Sequence, residues 1–398
     1  VLELCRRTKA DYQIVPGFYD LISGAVSINQ IRNVDVQDLL QRKPVHLDME
    51  NIRSYIHQKT ILVTGAGGSI GSEIVRQLAR FQPRKVILLG RGENSIHELI
   101  RELRSDVPAL PFLTQIGNIQ DPQTIEALFS SQQPEVVFHA AAHKHVPLME
   151  ENPEQAVLNN VRGTQNLVNA ALEHGVRYFI NISTDKAVNP TSVMGATKRI
   201  AEEIVREAAT RVPDDAVFVS VRFGNVLGSR GSVVPIFKDQ IQKGGPVTVT
   251  HPDMVRYFMT IPEASQLVLQ AGALNRNGAV FVLDMGEPVN IEQMARELIR
   301  LSGLEPDVDI EIQYSGIRPG EKMFEELLTA EEGTTMSQHK KIFVARNSAE
   351  PHADFTRHLQ TLFEATRSGN ETWLRSEIKN LVPSYKIPVQ NHTIQHFA

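Results

Sequence analysis

Residues 59–73 read Lys-Thr-Ile-Leu-Val-Thr-Gly-Ala-Gly-Gly-Ser-Ile-Gly-Ser-Glu. A short apolar run ends at Gly65, glycines follow at 67, 68 and 71, and a helical pattern through Phe81 starts among them. Strand, glycine turn and helix in that order suit a dinucleotide pyrophosphate. The turn needs residues without a Cβ, the anion needs a close backbone, and the helix N-terminus offers free N–H groups. Gly65, Gly67, Gly68, Ser69, Ile70 and Gly71 are therefore candidate cofactor contacts. A glycine cluster by itself is weak evidence; the strand before it and the helix after it give it weight.

Outward from this turn the pattern repeats. Strand-like runs at 84–90, 111–117, 134–141, 176–183 and 216–224 alternate with helical patterns at 95–106, 121–131 and 152–175. Asp121 and Pro122 suit a helix start, as do Asn152 and Pro153, and Gly175 suits a helix end. The helix over 152–175 is expected to be continuous. Continuous apolar strands between helices predict an α/β fold, a Rossmann-type doubly wound parallel sheet covered on both faces. After Gly224 the alternation loosens into amphipathic helices at 261–274 and 290–303 and a strand at 279–286, which predicts a smaller, mostly helical substrate-binding domain. Surface helices are expected at 352–368 and 370–382, and the stretch from Pro383 is expected to be a loose tail. Residues 1–58 hold no complete βαβ unit, only a short helical pattern at 36–42. The expected organisation is thus 1–58, the tail of an upstream domain plus a connector; 59–223, the NAD(P)-binding domain; 224–385, a substrate domain interleaved with it; and 386–398, the tail.

The 398 residues are 41% hydrophobic with a net charge of −5, enough for a large core and without the basic face that nucleic acid requires. One cysteine, Cys5, excludes an internal disulfide framework and a cysteine-rich zinc site. No apolar run approaches the roughly 20 residues of a membrane span. The chain starts at Val1, so an anchor upstream is compatible with it.

The spacing of Gly65, Gly68 and Gly71 resembles the extended branch of the short-chain dehydrogenase/reductase superfamily. There the end of the second strand selects the cofactor. Arg91 suits a 2′-phosphate and Glu93 a free 2′-hydroxyl; Arg91 lies nearer the strand end, which favours NADP and leaves NAD open. Asn118 and Ile119, after the third strand, are candidate contacts near the adenine. Ala140, Ala141 and Ala142, after the fourth, let backbone approach a cofactor. His139, His143 and His145 invite a metal reading, but no carboxylate lies at ligand spacing, so no metal is expected. Lys144 and His145 suit a substrate diphosphate.

After the fifth strand comes Thr184-Asp185-Lys186, and then Met194 four residues before Lys198. Lys198 shares a helical face with position 194, where the superfamily has a tyrosine. Methionine cannot exchange a proton, so acid–base work falls to other groups. Asp185 and Lys186, at the carboxyl edge where such sheets bind ligands, supply one potential base and one potential acid.

The stretches starting at Val63, Phe138, Ser183, Arg222, Arg256, Phe281 and Arg318 together resemble the nucleotide-sugar 4,6-dehydratases of polysaccharide biosynthesis. The similarity covers roughly residues 15–385 and is greatest to the UDP-N-acetylglucosamine 4,6-dehydratases, in their long, membrane-anchored branch with methionine for tyrosine. The resemblance implies a tightly bound, recycled NADP or NAD, a UDP-sugar substrate, a homo-oligomer, and a cytoplasmic location, at the inner membrane face if an anchor precedes residue 1. It implies oxidation at C4, loss of water across C5 and C6, and hydride return to C6. Lys186 would act at C5, Asp185 on the departing hydroxyl, Thr184 on the C4 oxygen, and Lys198 on the nicotinamide ribose. Arg222, Asn225, Arg230, Arg256, Arg318 and Glu321 would line the UDP-sugar site, with Met194 beside it. A 4-epimerase and a non-catalytic NAD(P)-binding module are the alternatives.

Overall fold

The computed structural model describes residues 13–14, 32–33, 45–328, 333–345 and 354–388. The short helix expected at 36–42 lies outside the described residues. The apolar runs form strands β1 (Thr60–Thr64), β2 (Lys85–Gly90), β3 (Phe112–Ile116), β4 (Val136–His139), β5 (Tyr178–Ile182) and β6 (Val217–Arg222). A seventh, β7 (Val280–Leu283), comes from beyond Gly224, and two more, β8 (Thr334–Met336) and β9 (Ile342–Ala345), close the edge. The nine strands run in the order β8-β9-β7-β6-β5-β4-β1-β2-β3. All pairs from β3 to β7 are parallel, and β9 and β8 are added antiparallel. The order reverses at β1, between β2 and β4, which opens a crevice at the carboxyl edge there.

Helices cover both faces because the strands are apolar on both. One core joins Leu62, Val137, Phe179 and Phe218 to α3 (Pro122–Gln132), α5 (Gly163–Glu173) and α6 (Val193–Ala209). The other joins Ile61, Val63, Phe138 and Val219 to α1 (Ser69–Leu78), α2 (Glu93–Asp106) and α8 (Ile261–Gly272). A third, separate core holds α7 (Val233–Gln242) and α9 (Ile291–Leu301) with Val247, Val249 and Ile312. This core lies within the span 224–385 expected to form a substrate domain, although β7, from the same span, pairs with β6 of the main sheet.

The helix expected over 152–175 runs without interruption from Pro153 to Glu173; α4 (Val146–Glu151) precedes it, and a π-helical stretch, Val157–Arg162, widens it ahead of α5. Two expectations need correction. The late helices α10 (Phe355–Ser368) and α11 (Glu371–Leu381) are integral to the first core, to which they contribute Leu359, Leu362, Leu374 and Ile378. The tail does not begin loosely at Pro383. Tyr385 is fully buried, its hydroxyl accepts from Arg375 at 3.2 Å, and the Lys386 N–H donates to the Pro190 carbonyl at 2.9 Å. Residues 389–398 lie outside the described residues.

Candidate active site

The cradle forms where the sequence places it. Gly65 has φ +64°, and a Cβ there would lie 2.7 Å from the Ala141 nitrogen. The turn after β1 and the loop after β4 therefore touch backbone to backbone. No side chain caps α1, which starts at Ser69, so its first N–H groups are available to an anion. Arg91 and Glu93 are exposed at the end of β2. Ile119 is buried, and the Asn118 Oδ1 accepts from the Gln120 N–H at 3.1 Å. These groups fit a dinucleotide laid along the carboxyl edge.

The loop after β5 carries the densest polar chemistry. A 3-10 turn, Asp185–Ala187, folds Lys186 back over Asp185. Asp185 is fully buried; its Oδ1 accepts from Lys186 Nζ at 2.9 Å and from the Thr184 hydroxyl at 2.9 Å, while Oδ2 has no hydrogen-bond partner among the described residues. Lys186 Nζ also donates to Asn225 Oδ1 at 3.2 Å and lies 3.6 Å from Glu325. Burial works against the Lys186 ammonium, but the Asp185 and Glu325 carboxylates outweigh it and hold its pKa above the ordinary value. The N-terminus of α6 seats against this turn, since a Cβ on Gly195 would overlap the Lys186 carbonyl oxygen.

Lys198, two turns into α6, is buried, and burial lowers its pKa to about 8 against the opposing pull of Glu202. His139 ends β4 between two threonine hydroxyls, Thr64 at 2.8 Å and Thr164 at 2.9 Å. Burial and the nearby Lys198 charge keep it neutral. His139 is thus accounted for by packing, and among the described residues no group of three His, Cys, Asp or Glu could hold a metal ion.

A cleft of about 90 Å³ opens over Lys186, lined also by Arg256, Ser192, Glu321, Lys322 and Glu325. It brings together separate stretches of the chain, at 186–192, 256 and 320–325. Arg256 is held by the carbonyls of Lys322 at 2.8 Å and Met323 at 3.1 Å. Glu321 accepts from the Arg318 N–H at 3.3 Å, and Arg318 is exposed at the rim. Lys144, whose pKa is lowered by burial and then by the Lys186 charge, donates to the Arg230 carbonyl at 3.0 Å. His145 packs against Gly231 and is likewise lowered by burial and by Lys144.

Three candidate substrate contacts sit elsewhere. Arg222 is 1% exposed and makes a two-pronged pair with Glu202, Nε to Oε1 and Nη2 to Oε2, each 2.7 Å. The Ser183 hydroxyl donates to the same carboxylate at 2.6 Å. Arg222 is therefore a core ion pair beneath the site and cannot reach a diphosphate. Arg230 belongs to the cradle: its guanidinium donates to the Gly67 carbonyl at 3.2 Å and to Glu98 at 2.6 Å, and its N–H donates to Ser69 Oγ at 3.1 Å. Met194 is 3% exposed and belongs to the core cluster below the cleft.

Sequence reasoning missed Glu202, Glu325 and Asn160. Asn160 sits in the π-helical stretch; its Oδ1 accepts from the His143 N–H at 2.8 Å and its Nδ2 donates to the His143 carbonyl and to Thr197. It ties the loop after β4 to α6, a use of π-helical backbone that recurs at functional sites. A second brace comes from the chain's last helices. Arg375 donates to Glu150 Oε2 at 2.8 Å, and Glu150 Oε1 accepts from the Val193 N–H, the first residue of α6, at 2.6 Å.

Comparison with known proteins follows from this geometry. The model of a family described as polysaccharide biosynthesis protein matches residues 61–347. The chain belongs to that family. The probable polysaccharide biosynthesis protein EpsC of Bacillus subtilis is 55% identical over 343 residues, and the capsular polysaccharide biosynthesis protein CapD of Staphylococcus aureus is 54% identical over 342. Each alignment covers 86% of this chain and 57% of the relative, so the chain spans little over half the length of these two proteins. Among solved structures, Pen from Bacillus thuringiensis superposes with a TM-score of 0.68 at 34% identity, over 74% of this chain and 90% of that one.

Proposed function

We propose that the protein is a nucleotide-sugar 4,6-dehydratase that converts UDP-N-acetylglucosamine to its 4-keto-6-deoxy product, for a surface polysaccharide. The observation that carries this reading is the buried Asp185–Lys186 pair at the carboxyl edge, in a site whose tyrosine position is a core methionine. The family's polysaccharide role supports it. Bound NAD or NADP would accept one hydride from C4 and return it to C6.

The protein's own groups then move protons. Asp185, hydrogen-bonded to Lys186, takes the proton of the C4 hydroxyl and later delivers it to the C6 oxygen, which leaves as water. Thr184, hydrogen-bonded to Asp185, would hold the C4 oxygen. Lys186 takes the C5 proton once the C4 ketone has acidified it, and returns a solvent-exchangeable proton from Nζ to C5 after water has left. The balance closes: one water departs, the hydride returns to the sugar, and C5 regains one proton for the one it lost. Lys198 holds the nicotinamide ribose. The third core, beyond Gly224, forms the side that receives the sugar nucleotide.

The test is incubation of the NAD- or NADP-loaded protein with UDP-N-acetylglucosamine in D₂O. A product lighter by one water, with a 4-keto group and deuterium at C5, is expected. Recovery of only the starting sugar or its 4-epimer overturns the reading.

A further inference from the structure

A base that must take a proton from C5 sits here as a well-compensated ammonium. Lys186 is faced by Asp185 from its own turn, by Asn225, and by Glu325 across the cleft. Two cations, Arg256 and Lys144, repel it more weakly. Something must remove a proton from Nζ before the amine can act.

Glu325 has the chemistry for that step. Its side chain is 4% exposed, yet it lines the cleft over Lys186. Its Oε1 lies 3.6 Å from Lys186 Nζ and 3.9 Å from Arg256 Nε. Its Oε2 is buried and, among the described residues, has no hydrogen-bond partner. A buried carboxylate oxygen left unpaired is costly, and such groups are retained where a site uses them. Asp185 Oδ2, on the other side of Lys186, is unpartnered in the same way. Lys186 thus lies between two carboxylates, each with one oxygen uncommitted. Asp185 already has the C4 proton to carry.

Resting on the dehydratase reading, we propose that Glu325 holds the Lys186 proton: it accepts one ammonium proton, so that a neutral amine meets C5. One N–H bond breaks, one O–H bond forms on the Glu325 carboxylate, and the electron pair stays on Nζ. The amine then takes the C5 proton, whose electron pair stays on the sugar to expel the C6 oxygen, and Nζ returns one of its solvent-exchangeable protons to C5. Glu325 acts through Lys186 and never on the sugar. The 3.6 Å separation exceeds a hydrogen bond, so the transfer follows a small swing of the carboxylate. Because the proton moves within the protein, the fraction of neutral amine made this way does not depend on pH.

The experiment compares wild type with E325Q, as holoenzyme. C5 exchange of UDP-N-acetylglucosamine with solvent deuterium is followed from pH 6.5 to 8.5. Wild type is expected to be flat. E325Q, which must lose the proton to solvent, is expected to rise about tenfold per pH unit. A flat E325Q profile overturns the proposal. If E325Q does not fold, E325A with added formate replaces it, and failure of formate to flatten the slope is equally fatal. A readout independent of turnover is the pH midpoint for acetic anhydride labelling of Lys186. Removal of one facing carboxylate lowers it by about one unit; an unchanged midpoint means that Glu325 does not share the Lys186 charge. If wild type shows no C5 exchange at all, the dehydratase reading fails, and the labelling midpoint alone decides for or against Glu325.

Discussion

Replacing Arg222 with methionine separates a core ion pair from a substrate contact. In the fold Arg222 and Glu202 are each 1% exposed, joined by two bonds of 2.7 Å. The R222M chain keeps a similar volume but strands the Glu202 carboxylate with Ser183 and the more distant Arg199 as partners. Breaking one side of a buried pair costs about 3–5 kcal/mol, whereas replacing both sides with apolar groups is often neutral or better. R222M should therefore lose about that much unfolding free energy in urea, and the double variant R222M/E202L should recover most of it. Burial pushes the Glu202 pKa up, but Arg222 more than offsets this and holds it below the ordinary 4.5. A depressed folded pKa stabilises fully above the unfolded value, and that contribution is lost as pH falls through the folded value. The gap between wild type and R222M should narrow on acidification below about pH 4.5. Folded R222M should keep its KM for the UDP-sugar. An R222M protein as stable as wild type, with a KM raised tenfold or more, would refute the core assignment.

Further outcomes follow from the same geometry. D185N, which retains the shape but cannot carry the C4 proton, should cut water loss by at least about 100-fold, the lower range for one general acid–base group, with product mass as the readout. Lys198, at about 8 in the fold against 10.5 unfolded, binds fewer protons folded than unfolded between those values. Cofactor-free stability should rise by up to about 3 kcal/mol across that window, and K198M should abolish the rise in thermal scans. G195A drives a methyl group into the Lys186 carbonyl; it should lower kcat by an order of magnitude or more while cofactor fluorescence titration stays near wild type.

Much of the sheet was legible because its information is local. An apolar run, a glycine turn and an amphipathic helix recur within some thirty residues, and each strand reports its own burial. The buried polar turn after β5 was legible for the same reason: Thr184, Asp185 and Lys186 are consecutive and follow a strand. What escaped lay in side-chain direction. Along β6 alternate residues face opposite cores, Phe218 one and Val219 the other. That alternation sends Arg222 to the face of Phe218, under α6, where Glu202 waits. Residue type alone suggested an anion partner, correctly, but a substrate phosphate rather than a core carboxylate. Glu325 escaped because its partner Lys186 lies more than a hundred residues away, and the stretch between crosses the third core. The π-helical stretch could not be seen in apolar spacing, since one widened turn shifts the pattern less than loop residues do.

The brace from Arg375 through Glu150 to the Val193 N–H, with Lys386 pinning Pro190, sets a schedule for synthesis. The parallel sheet can assemble as the ribosome delivers it, yet the turn after β5 and the start of α6 are tied down here by residues that follow them by about 180 to 200 positions. A chain stalled short of Glu371 would hold a formed sheet above an unsecured α6 N-terminus, with Val193 exchanging its amide hydrogen freely. The Asp185–Lys186 turn would thus stay unbraced until translation has passed Lys386.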